Sequence, residues 1–183
     1  AQEMGMLHPS HVCLLAQDQT LTVRDFLNKA QALKNRTKVM TGASVAIRGL
    51  QPLEMVIAAA AFDGVASQML LLPISLDETN SLSLIERTGC SHVLDGSEMG
   101  FRTLQSDLTS TDNTLPTKWL LATSGTTRSP KLIHHTLATL TRTVKRKKQL
   151  GTDYIWGLFY DPCRFAGLQV VLQALLSSSK LVL

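Results

Sequence analysis

Cysteine, aromatic residues and strong net charge are all scarce in this sequence. Three cysteines, Cys13, Cys90 and Cys163, form no C-x-x-C pair, and an odd count in 183 residues supports neither a disulfide framework nor a zinc site. That usage points to a reducing, cytosolic compartment. Aromatics are 5% of the chain, and 18 Lys+Arg against 14 Asp+Glu leave a formal charge of +4, too mild to define a nucleic-acid or membrane-surface protein. The longest apolar stretches, Met55 to Phe62 and Ala166 to Leu176, fall short of the roughly 18 residues a spanning helix needs. No membrane span and no secretory leader are read. Hydrophobic residues, at 44% of the chain, are nevertheless ample for a packed core.

What is present alternates between strand and helix signals. Val12 to Ala16 and Thr20 to Val23 read as a hairpin around Gln17-Asp18-Gln19, and Thr22 with Asp25 imitates a capping box ahead of Phe26, Leu27, Ala30 and Leu33 at helical spacing. Ser44 to Ile47 reads as a strand ended by Gly49. Pro52 then opens an almost wholly apolar helix through Phe62, closed by Gly64. Ser67 to Leu72 is a second apolar strand, Asp77 caps a further helix that Gly89 ends, and His92 to Leu94 is a third strand. Near-continuous apolar strands separated by helices predict an α/β fold, a mostly parallel sheet with helices on both faces.

From Ser97 to Thr117 the composition shifts to Ser, Thr, Asp, Asn and Gln, which reads as a linker or variable surface loop. It divides the chain into first βα units (1–96), linker (97–117) and a last segment (118–183). In that segment, Lys118 to Thr123 and Lys131 to His135 read as strands around a loop, and Thr136 as the cap of a helix running to about Gln149. Tyr154 to Tyr160 reads as a buried strand, Phe165 to Leu176 as an apolar helix, and Lys180 to Leu183 as a strand cut off at the end. A chain stopping there is expected to expose an unpaired sheet edge and to associate, as a homodimer or larger species.

The loop carries the chemistry. Thr123-Ser124-Gly125-Thr126-Thr127-Arg128-Ser129-Pro130-Lys131 sets small hydroxylated residues around a glycine, so backbone N–H and hydroxyl donors converge on an anion, and Lys131 adds a point charge. That composition fits a phosphate cradle, and equally a plain Ser/Thr-rich hairpin turn. It is not a Walker A loop, because Pro130 stands where that motif has glycine and Leu132 where it has Ser or Thr.

The order T-S-G-T-T-x-x-P-K resembles the phosphate-binding signature of the acyl-adenylate-forming (AMP-binding) superfamily, which includes acyl-CoA synthetases, carrier-loading adenylation domains and luciferases. Thr20 to Pro73 resembles the opening of such enzymes, and Asp161-Pro162-Cys163-Arg164-Phe165-Ala166-Gly167-Leu168 resembles their acyl-pocket motif, P-x-x-H-x-x-G-x. The similarity spans the chain but only the first part of such an enzyme, and most resembles the acyl-CoA ligases of secondary-metabolite pathways, the coronafacate ligase type. It implies activation of a small carboxylic acid with ATP and magnesium to an acyl-adenylate, then transfer to CoA or a carrier phosphopantetheine. It implies phosphate contacts from Thr123, Ser124, Gly125, Thr126, Thr127, Arg128 and Lys131, and places Arg164 and Gly167 at the acyl pocket. The family's later ribose, magnesium and C-terminal lysine segments lie past Leu183, so these 183 residues alone are expected not to adenylate. Two residues depart from the pattern. Arg128 replaces a glycine of the loop, and Arg164 stands where histidine is common. A non-catalytic nucleotide-binding or scaffold module with a degenerate loop is the opposing reading.

The other constellations have plainer readings. Arg142, Lys145, Arg146 and Gln149 would share one face of the expected helix, with Leu137, Leu140 and Val144 opposite, which describes a solvated face and not a nucleic-acid surface. His8 and His11 are too isolated for a metal site. Trp119 and Trp156 read as core. Cys163 reads as an inert buried thiol, and Ser124 lacks the hydrolase elbow.

Overall fold

The computed structural model describes residues 9–96, 100–104, 116–123, 130–145 and 154–183. The hairpin at the start forms as β1 (Val12–Ala16) and β2 (Gln19–Thr22), antiparallel. Thr22 then caps α1 (Val23–Thr37) with a complete capping box. Its hydroxyl donates to Asp25 Oδ2 at 2.6 Å, its backbone N–H donates to the same oxygen at 3.0 Å, and Asp25 N–H returns to the hydroxyl at 3.2 Å. The Thr22 hydroxyl, and then its N–H, hold the Asp25 carboxyl below its ordinary pKa.

β3 (Ser44–Arg48), α2 (Pro52–Phe62) and β4 (Gln68–Leu72) follow as a βα unit and its parallel strand. Asp77 caps α3 (Glu78–Thr88) by accepting from Asn80 N–H at 2.9 Å, and left-handed Gly89 at φ 62° ends it. β5 (His92–Asp95) then lies on the other side of β3. The six-stranded sheet is completed by β6 (Gly100–Thr103), β7 (Lys118–Thr123) and β8 (Lys131–His135), in the order β6-β5-β3-β4-β7-β8. Its four inner strands are parallel and both edges antiparallel.

The helices do cover both faces of this sheet. Val45, Ile47, Met69, Leu71, Trp119 and Leu121 pack on α1, α2 and α5 (Phe165–Leu176), while Ala46, Leu70, Leu72, Val93 and Leu120 pack on Leu84 and Ile85 of α3. Strand alternation sorts these two sets. A second sheet closes the molecule, with order β2-β1-β10-β9, where β9 is Ile155–Gly157 and β10 is Lys180–Val182. Its Leu14 and Leu181 meet Phe26, Val56, Val171 and Leu175. α1, α2 and α5 thus form a helix layer between two sheets, which is why α2 and α5 are apolar nearly all round. No helix of the described residues is long and apolar enough to cross a membrane.

Several expectations are corrected. Gly100–Thr103, inside the polar stretch read as linker, is the edge strand β6. Of the helix expected from Thr136 to Gln149, the described residues, which end at Lys145, form only α4 (Leu137–Leu140), capped by Thr136 as expected. Two glutamines of α5 hold the chain after it. Gln169 Nε2 donates to Leu140 C=O at 2.7 Å, and Gln173 both accepts from Lys145 N–H at 3.0 Å and donates to Lys145 C=O at 2.8 Å. A basic helix face through Arg142 and Lys145 therefore does not form, and Arg146 and Gln149 lie outside the described residues. The segment read as a buried strand is a short edge strand with Ile155 63% and Phe159 90% exposed. Trp119 is core, whereas Trp156 is only half-buried. Finally, β10 is no free edge, since β1 and β9 pair with it on either side.

Candidate phosphate site and acyl-motif helix

Strands β3, β4, β5 and β7 run parallel, so their carboxyl ends, Arg48, Leu72, Asp95 and Thr123, lie along one edge of the sheet. Open α/β sheets bind ligands at that edge, most often where strand order reverses. Order reverses here between β3 and β5. That crevice is filled. Arg48 Nη2 lies 2.6 Å from Asp95 Oδ2 and its Nε donates to the same oxygen at 2.7 Å, with Arg102 reaching in at 3.4 Å. Just beyond, Gly49 and Gly96 cross so closely that a Cβ on Gly96 would sit 2.0 Å from Gly49 C=O. This network escaped the sequence reading, although Arg48-Gly49 and Asp95-Gly96 share the signature of a charged strand end before glycine.

The β7–β8 hairpin leaves the same edge. Five register pairs run from Trp119↔His135 to Thr123↔Lys131, and Thr123 Oγ1 donates to Lys131 C=O at 3.2 Å. The two strands thus bring Thr123 and Lys131 together and fix the mouth of the turn between them. Lys131 is exposed and pairs with no carboxylate among the described residues. Ser124, Gly125, Thr126, Thr127 and Arg128 lie outside the described residues.

Arg164 and Gly167 are brought together elsewhere, at the start of α5. Arg164 is its N-cap, in extended conformation, with backbone N–H donating to Asp161 C=O at 3.0 Å and no side-chain cap bond. Asp161 also accepts from Cys163 N–H at 2.8 Å, forming a tight turn before the helix. Gly167 presses on that turn, since a Cβ there would lie 2.2 Å from Asp161 C=O and 2.8 Å from Tyr160 C=O. The glycine of the motif is therefore required by backbone packing. Phe165 lies against His135 with ring centroids 5.4 Å apart and the rings tilted by 31°. Since His135 is four residues past Lys131, the two groups of site residues meet opposite ends of β8, about 14 Å along the strand.

The segment leading to Phe165 exposes aromatic side chains. Tyr154, Phe159 and Tyr160 are all more than half exposed, a feature the sequence reading missed by assigning this stretch to the core. The thiols offer no nucleophile. Burial pushes Cys13 up to about 11, and burial with the neighbouring Asp161 pushes Cys163 still further. Among the described residues no three His, Cys, Asp or Glu side chains gather to hold a metal ion. The cavity bounded by Phe26, Met55, Trp119 and Leu172 measures about 60 Å³, too small for a ligand site.

No family model and no curated protein matches the sequence. Solved structures do match the fold. One is o-succinylbenzoate coenzyme A synthetase from Bacillus subtilis in complex with AMP, with a TM-score of 0.71 and 19% identity over 99% of this chain and 54% of that one. The same enzyme in complex with ATP and a magnesium ion gives 0.69 and 18%, over 100% of this chain and 56% of that one. The Klebsiella oxytoca NpsA N-terminal subdomain in complex with 3-hydroxybenzoyl-AMSN gives 0.74 and 18%, over 99% of this chain and 51% of that one. The chain therefore has the fold of the N-terminal subdomain of acyl-adenylate-forming enzymes, and spans about half the length of the structures it matches.

Proposed function

We propose that this chain is the N-terminal portion of an AMP-forming acid–thiol ligase, and that its β7–β8 turn holds the phosphates of ATP during activation of a small carboxylic acid. The observation that carries this reading is the Thr123↔Lys131 closure at the carboxyl edge of the sheet. It brings the two ends of the hydroxyl-rich signature segment together beside an uncommitted lysine, and the residue types of that segment suit phosphate. The fold likeness supports the same reading. ATP supplies the adenylyl group. The chain's own part is to hold and orient the phosphates through Thr123, Ser124, Gly125, Thr126, Thr127 and Lys131. No step is assigned to magnesium, because the described residues gather no ligand set for it. Arg164 begins the helix that would border the acid, and CoA or a carrier phosphopantetheine would accept the acyl group. The three free cysteines, all buried, suit a reducing compartment.

ATP should shift amide resonances from Thr123 to Lys131, and Lys131→Ala should weaken the response. Equal binding by that variant would remove the cradle. In a protein that carries the remaining segments, exchange of pyrophosphate into ATP should proceed with Arg128 in place. Arg128→Gly should then weaken ATP binding by about ten- to a hundredfold if the guanidinium serves the phosphates. No exchange with any acid, restored by Arg128→Gly, would instead support the non-catalytic module, since a non-glycine residue forced to positive φ costs on the order of 1 kcal/mol.

Self-association belongs to the same proposal, through β9 and not the chain end. Among the described residues β9 pairs only with β10, and Ile155, Phe159 and Tyr160, within and just after it, are exposed. An open edge flanked by apolar side chains templates pairing. Sedimentation of this chain should give a dimer or larger species. A compact monomer at high concentration would overturn that.

A further inference from the structure

On the face of the large sheet that carries α3, a trough of about 590 Å³ lies between the last turn of that helix and β8. Its lining follows from register. Leu120 pairs with His134 and Ala122 with Leu132, and opposed residues of an antiparallel pair share a face, so Leu132 and His134 lie on the α3 side with Leu120. Gln68 of β4 and the last turn of α3, Arg87 and Thr88, form the opposite wall, and Lys131 closes one end.

The charge of this lining is one-sided. Arg87, Lys131 and His134 are exposed, and among the described residues they pair with no carboxylate and no acidic side chain lines the trough. Arg48 and Arg102 differ, since both are committed to Asp95. The negative end of α3 would oppose an anion, but its last carbonyls are already occupied. Thr88 Oγ1 donates to Leu84 C=O at 2.8 Å, Gly89 N–H to Glu86 C=O at 3.0 Å, and Cys90 N–H to Ile85 C=O at 3.2 Å. The floor is apolar, with half-buried Leu132 facing the trough and Leu120 buried beneath it. The volume falls within the roughly 300–1,000 Å³ of small-molecule sites.

We propose that this trough binds a small molecule carrying a phosphate group on an apolar or aromatic body. Arg87 supplies the planar fork that phosphate oxygens accept in pairs, His134 a further donor, Lys131 a charge at the end of the trough, and Leu132 the apolar surface on which the body rests. This inference does not rest on the adenylation reading, in which neither Arg87 nor His134 takes part. Lys131 is common to both, so the test is built on the other two.

AMP and inorganic phosphate serve as probes on this chain, read by residue-resolved NMR and calorimetry. AMP should shift the Thr88 amide, the Arg87 Nε–H and the His134 ring together, and bind more tightly than inorganic phosphate. Arg87→Gln should weaken that response about tenfold, the loss expected for a charge-assisted contact, and His134→Gln should weaken it less. Both side chains are exposed, so the far-UV spectrum of either variant should match the parent. Shifts confined to residues 123–131, or unaltered AMP affinity in both variants, would overturn the site. Equal affinity for AMP and phosphate would overturn the assigned ligand class.

Discussion

Gly96→Ala is expected to destabilise the fold by about 3 kcal/mol or more, at or above the top of the usual 1–3 kcal/mol for overpacking. The added Cβ would lie 2.0 Å from Gly49 C=O, 2.5 Å from its carbonyl carbon and 2.9 Å from Leu50 N. All three are main-chain atoms, so no side chain can rotate away. The strands themselves must part where β3 and β5 end. For a chain of this size, 3 kcal/mol corresponds to a fall of roughly 6–12 °C in Tm. Gly167→Ala should behave alike, since its new Cβ meets backbone of Asp161 and Tyr160. Gly64→Ala is the control. Its φ is 75° with nothing within 4 Å of the new atom, so only left-handed backbone strain of about 1–2 kcal/mol applies. Urea melts of the three variants check the order. Equal losses at Gly96 and Gly64 would mean that the β3 and β5 ends stand further apart.

The elements that were legible in the sequence are those whose signal is local. Thr22 with Asp25, Asp77 before α3, Pro52 at the start of α2 and Gly89 after α3 each act within a turn, and each sits where its spacing implied. The four inner strands were legible because burial on both faces makes them apolar throughout. The second sheet was not. β10 inserts between β1 and β9, so Leu181 pairs with Leu14 across most of the chain, and no local pattern announces that pairing. β6 has four residues, Gly-Phe-Arg-Thr, of which only Phe101 is apolar. α4 was overextended because the apolar spacing of Leu137, Leu140 and Val144 outlasts the helix. Threonines at 141 and 143 weaken helix propagation, and Gln169 and Gln173 capture the backbone instead. Those glutamines, polar residues within an otherwise apolar helix, are its link to the preceding chain. Of the candidate site, the pairing of Thr123 with Lys131 followed from two strand signals around a turn, whereas the Arg48–Asp95 closure needed the strand order.

Asp95→Ala should be the costliest single change among the charged residues, at about 3–5 kcal/mol, the range for breaking a buried ion pair. The Arg48 side chain is 18% exposed and the Asp95 side chain 10%, so removing the carboxylate leaves a guanidinium largely out of water and, among the described residues, opposed only by Glu78 at 3.8 Å, whose side chain is 75% exposed. Arg48→Ala should cost less, because Asp95 keeps Arg102 at 3.4 Å. Arg102→Ala should fall within about 1 kcal/mol, its side chain being 63% exposed. Replacing Arg48 by Met together with Asp95 by Leu should recover most of the loss, since a buried pair exchanged for apolar groups of similar volume is often neutral. Additive losses in that double variant would show that the two side chains act separately. The order of these effects bears on the site. The crevice at the strand-order reversal is where an open α/β sheet ordinarily admits its ligand, and here an ion pair and two crossing glycines fill it. The proposed phosphate contacts lie at the β7–β8 connection and not in that crevice, so Asp95→Ala should lower stability without changing the resonance shifts that ATP is expected to induce from Thr123 to Lys131.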